Sequence, residues 1–289
     1  MKRPPPEDAA SKAEAWLRDN DFSRLPIDLE RAASILEIEV QPLKQTQPGV
    51  SGMLISHMGV FGIMFGTYVK SIGFQRFSIA HEIGHYLLEG HAEHLFPPGV
   101  TSHSSQAGFT SADPYEQEAD YFASGLLMPD ALVRSALRRL GEGLEGIEAL
   151  KEKCRTSMTA TAITYARKTS IPAATVVSTN GRVDYAFLSK AMKEFDGLSW
   201  PRKGMPLPAG TASAALAASA SDVKAGKRAT DDVDLRTWLG GKRAINATEE
   251  VVGLGSYGKI LTVLTTEVLP EEEDEEEELE KSWTPTFRS

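Results

Sequence analysis

His81 and Glu82, with His85 four residues after the first histidine, are the residues of this chain best spaced to do chemistry together. Around them Phe77, Ala80, Gly84, Leu87 and Leu88 fall near helical spacing, and Gly90 suits a stop. On a helix, residues four apart share a face, so both imidazoles can reach one metal ion. Glu82 sits beside His81, where it can hold or deprotonate a metal-bound water. That is the pattern of a zinc hydrolase site. The pattern is short and recurs by chance; its bland reading is two half-exposed histidines and a surface charge.

A zinc hydrolase of this kind needs three protein ligands and one open position. Asp113 is a good N-cap, Pro114 suits the first helical position, and Pro129 ends the segment, which predicts a second helix. Ala119, Phe122, Ala123, Leu126 and Met128 give that helix an apolar side. Glu116 and Asp120 are four apart and share a face. Glu116 can bind the zinc, while Asp120 accepts a proton from a histidine's other ring nitrogen and so sets its tautomer. Alternatively these acids form a solvated first turn favoured by the helix dipole. Glu118 fits that plainer role best and is the fallback ligand.

Residues 76–88 and 116–129, the second block closing on Leu127-Met128-Pro129, together resemble the ImmA/IrrE family of metallopeptidases. The likeness extends more weakly over residues 13–189. It implies a zincin-like fold in which His81, His85 and Glu116 bind Zn²⁺ and Glu82 is the catalytic base. Relatives act in bacteria or mobile elements by cleaving a helix-turn-helix repressor. The resemblance therefore implies a regulatory peptidase with one protein substrate.

Several elements must position these residues. Residues 8–19 read as a helix, and Asp28 caps a second one carrying Leu29, Ala32, Ala33, Ile35 and Leu36. Residues 38–43 alternate as a strand would; 45–50 read as loop; 51–56 and 60–65 read as a strand pair. An exposed strand edge of that pair, close to the metal, could add an extended peptide. Residues 89–112, with His91, His94 and His103, read as a long mobile loop over the cleft. Any one of these histidines, Tyr86 or Tyr115 could stabilise an oxyanion, although each taken singly reads as exposed loop. Asp130 opens a helix reaching about residue 140. Short helices over 148–153 and 158–168 resemble a helix-turn-helix, with packing the favoured use.

Further on, Asn180-Gly181 between two apolar runs predicts a hairpin. Residues 190–195 read as a helical turn, 209–220 as weak helix or linker, and 219–232 as exposed and flexible. Two strands over 249–252 and 260–264 flank Gly253-Leu254-Gly255-Ser256-Tyr257-Gly258. That run matches the dinucleotide pattern by letter but precedes a strand, so no helix N-terminus is available and it reads as a turn. The expected architecture is α+β. A zincin-like domain of helices on a small antiparallel sheet spans 1–170, including a helix-turn-helix-like segment at 130–168. A smaller β-containing region spans 171–268, and an acidic disordered tail spans 269–289.

Composition bounds the function classes. The formal charge is −9, but residues 271–280 hold 9 of the 40 acids, leaving 31 against 31 Lys and Arg. A near-neutral body carries no global basic field for nucleic acid, which weighs against direct DNA binding through 145–168. The single Cys154 excludes an intramolecular disulfide framework and fits a reducing compartment. With no long apolar run and no hydrophobic stretch after the first residues, a soluble cytoplasmic protein without membrane contact is expected. The function expected is a zinc-dependent regulatory endopeptidase acting on a helix-turn-helix repressor. The alternative is a catalytically silent zinc-binding regulator that binds a repressor, a ligand or DNA.

Overall fold

Ala9, Ala13 and Leu17 recur every four residues and form the buried side of helix α1 (Asp8–Asp19). The computed structural model describes residues 5–43, 49–106 and 111–270. Asp28 starts α2 (Leu29–Ile35) by accepting from the Arg31 N–H at 3.0 Å, satisfying one of the helix's unpaired donors. The chain then enters β1 (Glu39–Pro42), β2 (Gly52–His57) and β3 (Val60–Phe65). Met58 and Gly59, both at positive φ, close the tight β2–β3 turn. Next come α3 (Ile72–Leu87), α4 (His91–Leu95), β4 (Ser102–Ser105) and α5 (Pro114–Leu127). They are followed by α6 (Asp130–Leu137), α7 (Gly143–Cys154) and α8 (Met158–Lys168).

The architecture is mixed α and β, and the first sheet has the order β1-β3-β2-β4. It is not the purely antiparallel sheet expected, because β1 runs parallel to β3 from Glu39↔Gly62 to Pro42↔Phe65. Pro42 is tolerated there because β1 is an edge and a proline donates nothing to the ladder. Leu54 and Ile63 are register partners on β2 and β3 and both are buried. Ile83 of α3 and Phe122 and Leu126 of α5 complete the same core. Fully burying each such side chain contributes about 1.5–3 kcal/mol.

The long loop expected over 89–112 contains α4 and β4 instead. Ser102-His103-Ser104-Ser105 lacks the apolar alternation of a strand. It is one because β2 offers it a free edge, from Gly52↔Ser105 to Ile55↔Ser102. This pairing also makes β2 an inner strand and β4 the edge. Tertiary context overrides weak local preference here.

The chain divides into two compact units, one made of Met1–Gly141 and Glu145–Thr164, the other of Glu142–Leu144 and Tyr165–Ser289. The second holds β5 (Ala173–Thr179), β6 (Arg182–Leu188), α9 (Lys190–Lys193), α10 (Ala212–Ala217), α11 (Ala220–Lys224), β7 (Arg228–Asp234), α12 (Arg236–Leu239), β8 (Asn246–Gly253) and β9 (Lys259–Thr265). Its sheet, in the order β6-β5-β9-β8-β7, is antiparallel throughout. Asn180 and Gly181, both at positive φ, make the β5–β6 turn. Val176, Leu188, Met192, Leu239 and Leu264 belong to its core.

The flexible segment expected at 219–232 is corrected: α11 occupies part of it, and β7 pairs with β8 along its whole length. Most of β7 is exposed, so its polar composition reflects an edge strand and not disorder. Residues 254–258 form a turn with one 3₁₀ turn over Gly255–Tyr257. The loop reading at 45–48 and the acidic tail from 271 onward lie outside the described residues. Among the described residues no helix is long and apolar enough to cross a membrane.

Candidate metal centre

Helix α3 starts where the Ser71 hydroxyl accepts from the Phe74 N–H, and it carries His81 and His85 one turn apart. Both rings, and Glu82 between them, are fully buried. The two Nε2 atoms face each other at 3.0 Å. Helix α5 starts at Asp113, whose carboxylate accepts from the Tyr115 N–H at 2.8 Å, and this sets Glu116 in its first turn. Glu116 Oε2 stands 3.3 Å from His81 Nε2, and Oε1 stands 3.2 Å from His85 Nε2. Gly84 lets the two helices close: a Cβ there would lie 3.1 Å from the Phe122 ring.

Three candidate ligand atoms thus converge from two helices, two imidazole nitrogens and one carboxylate oxygen. Ligands held about 2.0–2.2 Å from a tetrahedral ion stand about 3.3–3.6 Å apart. The observed triangle matches that spacing after an opening of a few tenths of an ångström, and the donor set suits zinc. One turn further along α5, Asp120 Oδ1 lies 2.9 Å from His81 Nδ1. An imidazole that donates Nδ1–H to this carboxylate keeps its Nε2 lone pair for a metal.

Burial disfavours a proton on His81, yet the hydrogen bonds to Asp120 and Glu116 outweigh it and raise its pKa to about 10. Burial, with the His81 charge beside it, pushes His85 down to about 3. Burial also works against ionised Glu116, but hydrogen bonds from His103, His81 and His85 hold its carboxyl well below the usual range. Burial lifts Glu82 to about 7, partly offset by His81. Among the described residues the Ser105 side chain is near enough to favour ionised Glu82, but no group meets either carboxylate oxygen in hydrogen-bond geometry, so a buried acceptor beside the triangle is open to a water.

Residues read as loop or surface also reach the centre. His103, on edge strand β4, places Nε2 2.9 Å from Glu116 Oε1. His91, expected to be exposed, is fully buried and sets Nδ1 2.9 Å from His85 Nδ1. Glu118, the fallback ligand, lies outside the triangle; its Oε2 is 3.0 Å from His91 Nε2. Tyr115 stacks on His94 at 3.8 Å, and Tyr86 packs edge-on against Phe61. A local signal for His91 does exist. Gly90, three residues past the end of α3 and at positive φ, is the N-cap of α4, which opens with His91.

Residues 36–164 match a family model, Peptidase_M78, described as the IrrE N-terminal-like domain. Comparison with curated proteins gives no match. Among solved structures, a Mycobacterium tuberculosis transcriptional regulator is similar, with a TM-score of 0.52 and 12% identity. That likeness covers 90% of this chain and 76% of the other, and at such identity it concerns the fold alone.

Proposed function

The chain belongs to the ImmA/IrrE family through residues 36–164, and on that premise we propose that it is a zinc-dependent regulatory endopeptidase. The observation that carries the reading is the convergence of His81, His85 and Glu116 within 3.0–3.3 Å beside the buried Glu82 carboxylate. The helix pair against a small mixed sheet supports a zincin-like arrangement. Helices within 130–168 supply the helix-turn-helix-like segment of this reading.

When bound, zinc supplies a Lewis acid that makes water acidic near neutral pH and polarises a carbonyl. His81, His85 and Glu116 hold it. Asp120 keeps His81 in the tautomer with Nε2 free. Glu82 accepts the proton of the attacking water on its carboxylate and hands it to the leaving amine. Strand β4 is the sheet edge that carries His103 to Glu116, so an extended segment added along β4 would lie beside the centre.

The substrate class in this reading is the one the family resemblance implies: a single helix-turn-helix repressor. The test co-expresses candidate repressors with wild type, Glu82→Gln and Glu116→Ala, and measures cleavage and zinc content together. We expect cleavage in wild type only, with zinc retained in Glu82→Gln and lost in Glu116→Ala. Cleavage by Glu82→Gln at the wild-type rate would overturn the mechanism. Zinc without cleavage of any partner would move the assignment to a zinc-binding regulator.

A further inference from the structure

The two histidines of α3 are supported unequally. His81 meets a carboxylate directly, through Asp120. Among the described residues His85 Nδ1 meets not a carboxylate but another imidazole, His91 Nδ1, at 2.9 Å. The far nitrogen of that ring, Nε2, lies 3.0 Å from Glu118 Oε2. His85 and His91 are fully buried and Glu118 is 7% exposed, so water competes little for these bonds.

Chemistry leaves one proton arrangement if His85 is a ligand. Its Nε2 lone pair is taken, so its single proton sits on Nδ1 and is donated to His91 Nδ1. His91 then accepts at Nδ1, carries its own proton on Nε2, and donates that to Glu118. The chain is closed: each donor faces an acceptor and the charge stands at its end. The geometry of α5 shows why an intermediary is needed. Glu118 is two residues from Glu116, about 200° around the helix, so it cannot reach the imidazole that Glu116 faces. His91 spans that gap from the first position of α4, whose N-cap is Gly90.

We propose that His91 and Glu118 are positioning residues that orient His85 and raise its basicity as a metal ligand, doing through two bonds what Asp120 does for His81 through one. The proposal rests on the reading of His81, His85 and Glu116 as the metal ligands. It assigns Glu118 a definite place, neither ligand nor solvated first turn. The three acids of one short stretch then divide the work: Glu116 to the metal, Asp120 to His81, Glu118 to His85 by way of His91.

The test measures zinc affinity of the full chain by competition with a chromophoric chelator, and the visible absorption of the cobalt-loaded protein. His91→Phe fills the space without an acceptor, and should weaken zinc binding about 10–100-fold and shift the cobalt bands. His91→Asn sets Oδ1 where Nδ1 stands but no longer reaches Glu118; it should bind zinc about tenfold more weakly than wild type, like Glu118→Leu, and more tightly than His91→Phe, which a merely space-filling role does not predict. Glu118→Leu leaves His91 in place but ends the chain early; it should weaken binding about tenfold and covers the case in which His91→Phe fails to fold. Wild-type affinity in His91→Phe or Glu118→Leu, or Asn as weak as Phe, would overturn the proposal alone. A wild type that takes up no zinc would overturn the metal-site reading and this inference with it.

Discussion

Gly52 of β2 lies against the carboxylate of Glu82: a Cβ at position 52 would overlap Glu82 Oε1. The buried glutamate has its place because the strand beside it has no side chain there. This relationship ties the sheet to the chemistry, since β2 is also the strand onto which β4 pairs.

Gly52→Ala is therefore a test of Glu82 that leaves every candidate ligand intact. The added methyl pushes the carboxylate aside, and a displacement of about 1 Å at a reacting group costs about 100-fold in rate. Expected is a fall of that order in substrate cleavage at unchanged zinc content, read by cleavage kinetics and elemental analysis of the same sample. Normal cleavage by the variant would show that Glu82 tolerates movement and is not the base.

Asp120→Asn changes the partner of His81 Nδ1 while nearly preserving its volume. The amide oxygen can still accept, but the charge that favours the ligating tautomer is gone. Zinc affinity should drop about 10–100-fold by chelator competition, with helix content in circular dichroism unchanged. An affinity equal to wild type would leave Asp120 as core packing.

Metal removal should destabilise the protein by linkage. At a free zinc concentration about 100 times its dissociation constant, binding to the folded state adds about 2.7 kcal/mol. Thermal unfolding of the wild type should therefore move down on treatment with a chelator, and that of Glu116→Ala should not. Equal melting of the wild type with and without chelator would remove the metal from the account.

In the second unit, Asp184 accepts from Lys259 Nζ at 2.7 Å and from the Thr179 hydroxyl at 2.7 Å. Burial works against its charge, but these bonds outweigh it and hold the carboxyl below its usual range. A carboxyl with a depressed folded-state pKa adds stability above its unfolded pKa and loses it as pH falls through the folded value. Asp184→Asn should cost about 1 kcal/mol in urea unfolding at about pH 7. Its deficit relative to wild type should shrink in strong acid. A deficit that holds constant with pH would mean that volume, not charge, matters at this position.

What could be read from residues alone was whatever depends on neighbours along the chain. The pairing of His81 with His85 on one face follows from the helical repeat. Asp28 and Asp113 identify two helix starts because a cap needs only the next three residues. Asn180-Gly181 marks its hairpin because the turn demands positive φ at both positions. The mixed sheet was not legible, because β1 pairs with β3 across more than twenty residues. Nor was β4, four polar residues that become a strand only because β2 has an edge to offer.

The surroundings of the centre divide the same way. Spacing on α3 and α5 could nominate His81, Glu82, His85, Glu116 and Asp120, through the helical face that His81 shares with His85 and Glu116 with Asp120. The places of His91, His103 and Glu118 were decided by tertiary structure, as was the fit of Glu82 against Gly52. His91 meets Glu118 across 27 residues, and His103 meets Glu116 from a different layer of the fold. The physical reason is one of range. Backbone periodicity fixes which side chains share a face within a helix or strand. Which faces then meet depends on packing, where Gly84 opposite Phe122 sets how closely α3 and α5 approach and so which acids reach which histidines.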